Sequence, residues 1–445
     1  MASHPFRRAA VSDRPQRPSE AEPPSGPEEA SGDEPPRRPL SRRELLAGAA
    51  GAAAASALGR FVPPDLSAQQ AVLPPEGSLP DPTTVLGREA GVSAGRSPFE
   101  RPARLSRGTS SRTPLQDLSG TITPSDLHFE RHHGGVAEVD PRTYELLVHG
   151  MVERPTVFTL RDIRSLPSVS RIAFLECAGN MPRNAPEETT PQQICGLTSQ
   201  SEWTGVPLSL IFREVGVRPE ATWFLAEGMD AAVMARSIPV EKALDDALLA
   251  WGQNGEPLRP EQGYPVRLFL PGWEGNSNVK WLRRIELSDR PFMTREETAR
   301  YSEPIKGGKA RQFSFVMDAR SIITEPCHPK TVRPGWIDVR GIAWSGRGRI
   351  ERAELSFDEG ASWVAAELQE PVLPKAHTRF RYLWEWDGRE ATVMSRAVDE
   401  TGYVQPTVRE LVEARGPRSS YHLNPVTGWR LRPDGSVVLR TEAWA

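Results

Sequence analysis

A single cysteine closes an apolar run in Phe174-Leu175-Glu176-Cys177-Ala178-Gly179-Asn180. The stretch Ile172-Ala173-Phe174-Leu175 predicts a short buried strand. The Ala178-Gly179-Asn180 that follows predicts a sharp bend with room for close backbone approach to something bulky. Together these place the Cys177 thiol at a strand end. A thiol that faces a cavity there suits a soft metal ligand or a nucleophile. A packed core thiol satisfies the same pattern, since free cysteine is among the most buried residue types.

The other cysteines, Cys195 and Cys327, are not spaced as CxxC with it. This argues against a zinc ribbon and against a covalent c-type haem in this chain, and no disulfide is demanded. The net charge is -3, which argues against nucleic acid or a membrane surface as a bulk electrostatic partner. A chain of 445 residues has room for two to three domains and a sizeable core.

Residues 2–40 are rich in Pro, Glu, Arg, Ser and Gly and predict disorder. Ser41-Arg42-Arg43-Glu44-Leu45-Leu46 then opens an Ala-rich run to Leu58. That run is too short to cross a hydrocarbon core of roughly 30 Å as a helix, so no membrane span is expected. A twin arginine before a short, weakly apolar run is the layout of a Tat export signal. Ala55-Ser56-Ala57 and Ser67-Ala68 offer small-residue cleavage sites. The plainer reading is a surface helix opened by an arginine pair. The paired arginines, the length and the small-residue end together favour export to the periplasm. Arg7-Arg8 and Arg37-Arg38 lack a following apolar run.

The pattern divides the chain into a disordered, signal-bearing segment (1–68), a linker or extended wrap (69–115), an α+β domain (116–300), a β-rich domain (310–415) and a C-terminal tail (416–445). In the α+β part, strands are expected at 144–149, 157–160, 223–226 and 266–270, with short helices at 160–166, 207–215 and 240–249. After residue 310, short period-2 runs recur at 336–344, 350–357, 363–366, 380–386 and 392–399. Gly and Asp stand between them, which is the layout of an immunoglobulin-like β-sandwich. Asp358-Glu359-Gly360 predicts a hairpin turn. Trp336, Trp344, Trp384 and Trp386 exceed what a solvated sandwich face needs and predict a homodimer contact.

Four segments resemble the sulfite oxidase family of molybdenum enzymes, in the family's order. They are Thr123-Pro124-Ser125-Asp126-Leu127-His128-Phe129-Glu130-Arg131-His132-His133, the Cys177 heptapeptide, the stretch from Leu249-Ala250-Trp251-Gly252 through Gly263-Tyr264-Pro265-Val266-Arg267 to Val279-Lys280-Trp281-Leu282, and Ala343-Trp344-Ser345-Gly346 with Ala397-Val398-Asp399. Within the family the chain is similar to molybdenum subunits of bacterial sulfane dehydrogenases. Arg131-His132-His133-Gly134-Gly135-Val136, Pro271-Gly272-Trp273-Glu274-Gly275-Asn276 and Asp399-Glu400-Thr401-Gly402-Tyr403 carry that likeness.

The resemblance implies a molybdopterin-binding catalytic domain followed by a dimerisation sandwich. It implies a molybdenum–molybdopterin cofactor of bis-oxo type, with Cys177 as the metal ligand. Arg131 and Trp251 are then implied as substrate-facing catalytic residues. Phe129, His133, Asn180, Arg267, Ser277, Asn278 and Lys280 are implied as cofactor-binding, and His132 as structural. Chemistry agrees at two points. Thiolate suits a soft metal, and Arg267 in an otherwise apolar strand calls for a buried anion.

Two departures bear on substrate. Met181 and Pro182 stand where sulfite-oxidising relatives often carry basic residues, with Arg183 next, and Trp251 stands where a tyrosine is expected. Both point to a larger, less charged substrate, such as sulfane sulfur on a carrier protein. The chain has no CxxCH and no obvious flavin or nicotinamide fingerprint, so electrons are expected to leave to a c-type cytochrome subunit. A sulfite dehydrogenase, a sulfoxide reductase and a non-catalytic assembly module stand as alternatives.

Overall fold

The long apolar-ended strand Val169–Glu176 is exposed at its start and buried over its last four residues, so it enters the core as it approaches Cys177. The computed structural model describes residues 95–97, 99–442 and 444. The expected disordered leader, the twin-arginine segment and most of the 69–115 linker lie outside the described residues. The end of that segment is extended and paired. Leu105–Arg107 and Ser110–Arg112 form a hairpin that continues onto Glu130–Arg131, with Ser110 opposite Arg131.

Within residues 96–445, one antiparallel and one mixed sheet build the α+β part. One sheet runs in the order Glu256–Pro257, Leu248–Gln253, Thr198–Pro207, Val169–Glu176, and Arg267–Phe269 also pairs with Leu248–Gln253. The other runs Thr156–Thr159, Glu145–Gly150, Leu282–Ser288, Trp223–Gly228, Ala235–Pro239, with one parallel pair between Glu145–Gly150 and Leu282–Ser288. The helices Leu160–Ser165 and Leu208–Val215 bury Ile163, Ile211, Phe212 and Val215 in the shared core. Thr159 and Asp162 start the first helix with a reciprocal capping box. The helix expected over 240–249 stops early. Val240–Asp245 is helical, and Leu248–Gln253 is a strand paired with Thr198–Pro207.

The C-terminal part is two antiparallel sheets around one apolar core. Four strands run Arg320–Glu325, Gly335–Trp344, Thr378–Trp386, Glu367–Gln369; five run Val364–Ala365, Ile350–Ser356, Ala391–Asp399, Thr427–Leu431, Val437–Leu439. The segment read as a tail (416–445) therefore supplies two strands of the second sheet. Asp358-Glu359-Gly360 makes its turn with positive φ at Glu359 (59°) and Gly360 (89°). Of the aromatics, Trp344 and Trp386 are core, and Trp336 is 66% exposed.

Candidate active site

Where Val169–Glu176 ends, Cys177 borders a cavity of about 650 Å³. Phe129, Arg131, His133, Arg267, Asn278 and Lys280 line the same cavity. Seven of the ten sequence-predicted residues thus converge from four separate chain segments. The Cys177 N–H donates to Leu197 O (3.0 Å), and the Asn180 N–H returns to Cys177 O (3.0 Å), which closes the turn. Burial pushes the Cys177 thiol up; the Gly179 N–H and the Arg131 charge oppose it. Gly179 itself has open space around it. The close approach expected there falls instead on Gly275, where a Cβ would sit 2.9 Å from Glu176 O.

The cavity wall is rich in cations. The buried Arg267 guanidinium donates to Gln262 O and Asn278 O, both at 3.0 Å, and its Nε has no partner. Burial lowers its pKa to about 9. Lys280 Nζ reaches His132 Nδ1 (2.7 Å), Glu261 O (3.1 Å) and Arg131 O (3.4 Å). Burial, then the Arg267 charge, hold it well below the usual lysine range. His133 meets Tyr301 Oη through Nε2 (2.8 Å), and burial followed by Arg131 lowers its pKa to about 4. Arg131 is anchored on Thr109 Oγ1 (3.1 Å) and on His132 O. Among the described residues, neither Arg267 nor Lys280 is ion-paired to a carboxylate.

Three predicted residues do not line the cavity. Trp251 sits at the bulge between Ala250 and Gly252, packs on the other core, and lies under the Arg164 guanidinium at 5.1 Å. It shares a face with Leu249, while Leu248 and Ala250 point to the core that packs against Cys177, so plain period-2 alternation turns the indole away from the cavity. Ser277 is buried beside Glu274 and Asn276. Asn180 braces the turn, donating to Glu176 Oε1 and Cys195 O, both at 2.9 Å. Met181 and Pro182 line a different cavity, and Arg183 turns to Pro417 O and the Trp444 ring.

Several contributors escaped the sequence reading, Asp230, Gln262 and Tyr301 among them. Tyr301 lines the cavity from an irregular segment, and burial raises its phenol. Gln262 lines it too and holds Phe129 O with its Nε2 (2.9 Å). Tyr301 lies in a segment with no hydrophobic period; only its hydroxyl-bearing ring beside a run of charged residues was there to be noticed.

The donor set fits a molybdopterin cofactor. Among the described residues no three His, Cys, Asp or Glu side chains gather as a metal site, so Cys177 needs partners that a cofactor's own sulfurs supply. Arg267 Nε is an orphaned buried donor, and Lys280 is a half-buried cation in the same wall; both suit an anion such as the cofactor phosphate.

Residues 133–296 match the oxidoreductase molybdopterin binding domain, and residues 311–427 match the Mo-co oxidoreductase dimerisation domain. Sulfite oxidase of Gallus gallus is 32% identical over 328 residues, covering 67% of this chain and 71% of that protein. The chain belongs to the sulfite oxidase family of molybdenum-cofactor oxidoreductases. Mitochondrial sulfite oxidase of Drosophila melanogaster is 34% identical over 322 residues, and there the match spans about half of the relative's length (55%). The sulfane dehydrogenase SoxCD structure from Paracoccus pantotrophus is similar at a TM-score of 0.75 and 41% identity, covering 82% of this chain and 100% of that one.

Proposed function

We propose that this protein is an exported, periplasmic molybdenum oxidoreductase that oxidises sulfane sulfur held on a carrier protein and passes electrons to a c-type cytochrome subunit. The observation that carries the reading is the convergence of Cys177, Arg131, Arg267 and Lys280 on one cavity, in a chain 41% identical to a sulfane dehydrogenase. The bound cofactor, in bis-oxo form, supplies oxygen-atom transfer to reduced sulfur and takes up the electron pair. Cys177 holds the metal as thiolate. Arg267, Lys280, His133 and Asn278 hold the pterin and its phosphate. Arg131 orients an oxidised sulfur group through its planar fork. Tyr301, in contact with His133, offers a hydroxyl on the same wall.

The C-terminal sheets form an immunoglobulin-like module that pairs two copies of the chain. Trp336 (66% exposed) and Leu383 (55% exposed) support this as diagonal neighbours on one outer face. Turnover of carrier-bound sulfane sulfur against sulfite, with cytochrome c as acceptor and molybdenum content measured alongside, tests the reading. Preference for sulfite makes it a sulfite dehydrogenase. A protein without stoichiometric molybdenum is no enzyme of this class. Replacing Arg42 and Arg43 with lysine tests export, and unchanged periplasmic yield removes it.

A further inference from the structure

Glu176 precedes the cavity cysteine and is fully buried. A lone carboxylate there would be costly to bury, so its partners matter. Its Oε1 accepts from Arg320 Nη1 (2.8 Å) and Asn180 Nδ2 (2.9 Å), and its Oε2 accepts from Trp344 Nε1 (2.6 Å). Arg320 and Trp344 belong to the C-terminal sheets, where they stand opposite each other in register on Arg320–Glu325 and Gly335–Trp344. The second Arg320 arm reaches Cys195 Sγ (3.0 Å), and Asn180 ties Cys195 O back to the same turn. Neither Arg320 nor Trp344 lines the cavity.

We infer that Glu176 is a positioning residue: the C-terminal domain grips its carboxylate with Arg320 and Trp344 and so fixes the strand end that presents the Cys177 thiolate. The sandwich then has a second task besides assembly. It sets the direction of the metal ligand from behind, without touching cofactor or substrate. Three donors converge on two oxygens of one side chain, and the ligand is the next residue along the chain. A change in this grip moves the sulfur before it moves anything else in the cavity. This rests on the reading of Cys177 as the metal ligand.

The test uses the cofactor-loaded full-length protein. Trp344→Phe removes one hydrogen bond and keeps an aromatic ring in the core; Arg320→Lys keeps the charge and loses the fork. Both are expected to shift or weaken the thiolate-to-molybdenum absorption band and to lower kcat by about 10- to 100-fold with KM unchanged, as for partners that orient a metal ligand. Combining Glu176→Gln with Arg320→Gln keeps a hydrogen-bonded pair without charge and is expected to restore the band in part. The band reads the ligand directly, so it is independent of which sulfur compound is the substrate. A wild-type band and kcat in folded Trp344→Phe would overturn the proposal even if Arg320→Lys fails to fold. A lowered melting temperature with an unchanged band would overturn it as well, since the grip would then serve the fold alone.

Discussion

The two sides of the Cys177 turn handle charge in opposite ways. On the cavity side, the buried Arg267 and the half-buried Lys280 rest on backbone carbonyls and a histidine, and loss of solvent depresses both pKa values. Behind the turn most buried charges are matched, with Glu303 left without a cation partner among the described residues. Glu176 meets Arg320, and Arg236 lies between Glu274 (3.0 Å) and Glu297 (2.8 Å). His422, from the C-terminal segment, closes that second cluster on Glu274 at 2.9 Å. A buried cation without an anion is destabilising until a ligand supplies one. The cavity side is therefore built for an incoming anion and the rear side for rigidity. Substitutions on the two sides should separate binding from stability.

The largest effect belongs to the ligand. Cys177→Ser should abolish turnover and the thiolate-to-metal absorption, because an alkoxide is a harder and poorer donor to this metal. The fold should survive, as Cys177 is only half-buried and free. Normal turnover by the serine variant would remove the ligand assignment.

Next is Lys280→Met. A charge-assisted hydrogen bond is worth about 1.5–3 kcal/mol, so cofactor retention should fall about 10- to 100-fold. The cofactor-free protein should lose little stability, since the ammonium removed is only half-buried and has no carboxylate within ion-pair distance among the described residues. Molybdenum and pterin content, measured with the melting temperature of the cofactor-free form, check both halves. A large stability loss in the cofactor-free state would make Lys280 a structural residue and erase the contrast between the two sides.

Arg236→Met probes the rear in the reverse sense. It leaves Glu274 and Glu297 buried without their shared guanidinium. Breaking a buried pair in this way should cost about 3–5 kcal/mol in denaturant unfolding, with or without cofactor. A cost confined to the loaded enzyme would place Arg236 on the cavity side of the comparison.

How far the sequence reveals this division depends on distance along the chain. The strand ending at Cys177, the cavity cations and most strands of the C-terminal sheets were legible because each follows from a local period or a local motif. Trp251 was not, because the motif gives no face: it lies with Leu249 on the core away from Cys177, while Leu248 and Ala250 face the Cys177 side. The early end of the helix at Asp245 was hidden too. Leu248 and Leu249 continue its apolar pattern, but pairing with Pro207 and Val206 draws them into the sheet. The strands at Thr427–Leu431 and Val437–Leu439 are short and follow a Gly- and Pro-bearing stretch that reads as a tail. The rear clusters are the least legible of all. Glu176 finds Arg320 and Trp344 at separations of 144 and 168 residues, and no local pattern announces such a pair.

The smallest predicted effect is a pH dependence in the Glu274–His422 contact. Burial lowers the His422 pKa, but its hydrogen bond to Glu274 and the charge of that carboxylate overcome it and raise the value above 6.5. Burial also opposes ionisation of Glu274, yet the Arg236 charge and then His422 hold it down at about 2. For the raised histidine, stabilisation is complete below pH 6.5 and is lost as pH rises through the raised value. For the depressed carboxyl, stabilisation is present above its ordinary 4.5 and is lost as pH falls toward about 2. Both contributions are whole only between those ordinary values. His422→Gln removes the alkaline limb and leaves the acid limb to Arg236. The stability gap between wild type and His422→Gln should therefore be widest near pH 6 and shrink by about pH 9. Denaturant titrations at the two pH values measure it. A gap that stays constant would mean that His422 holds Glu274 as a neutral donor and that the rear side has one charge fewer than its geometry suggests.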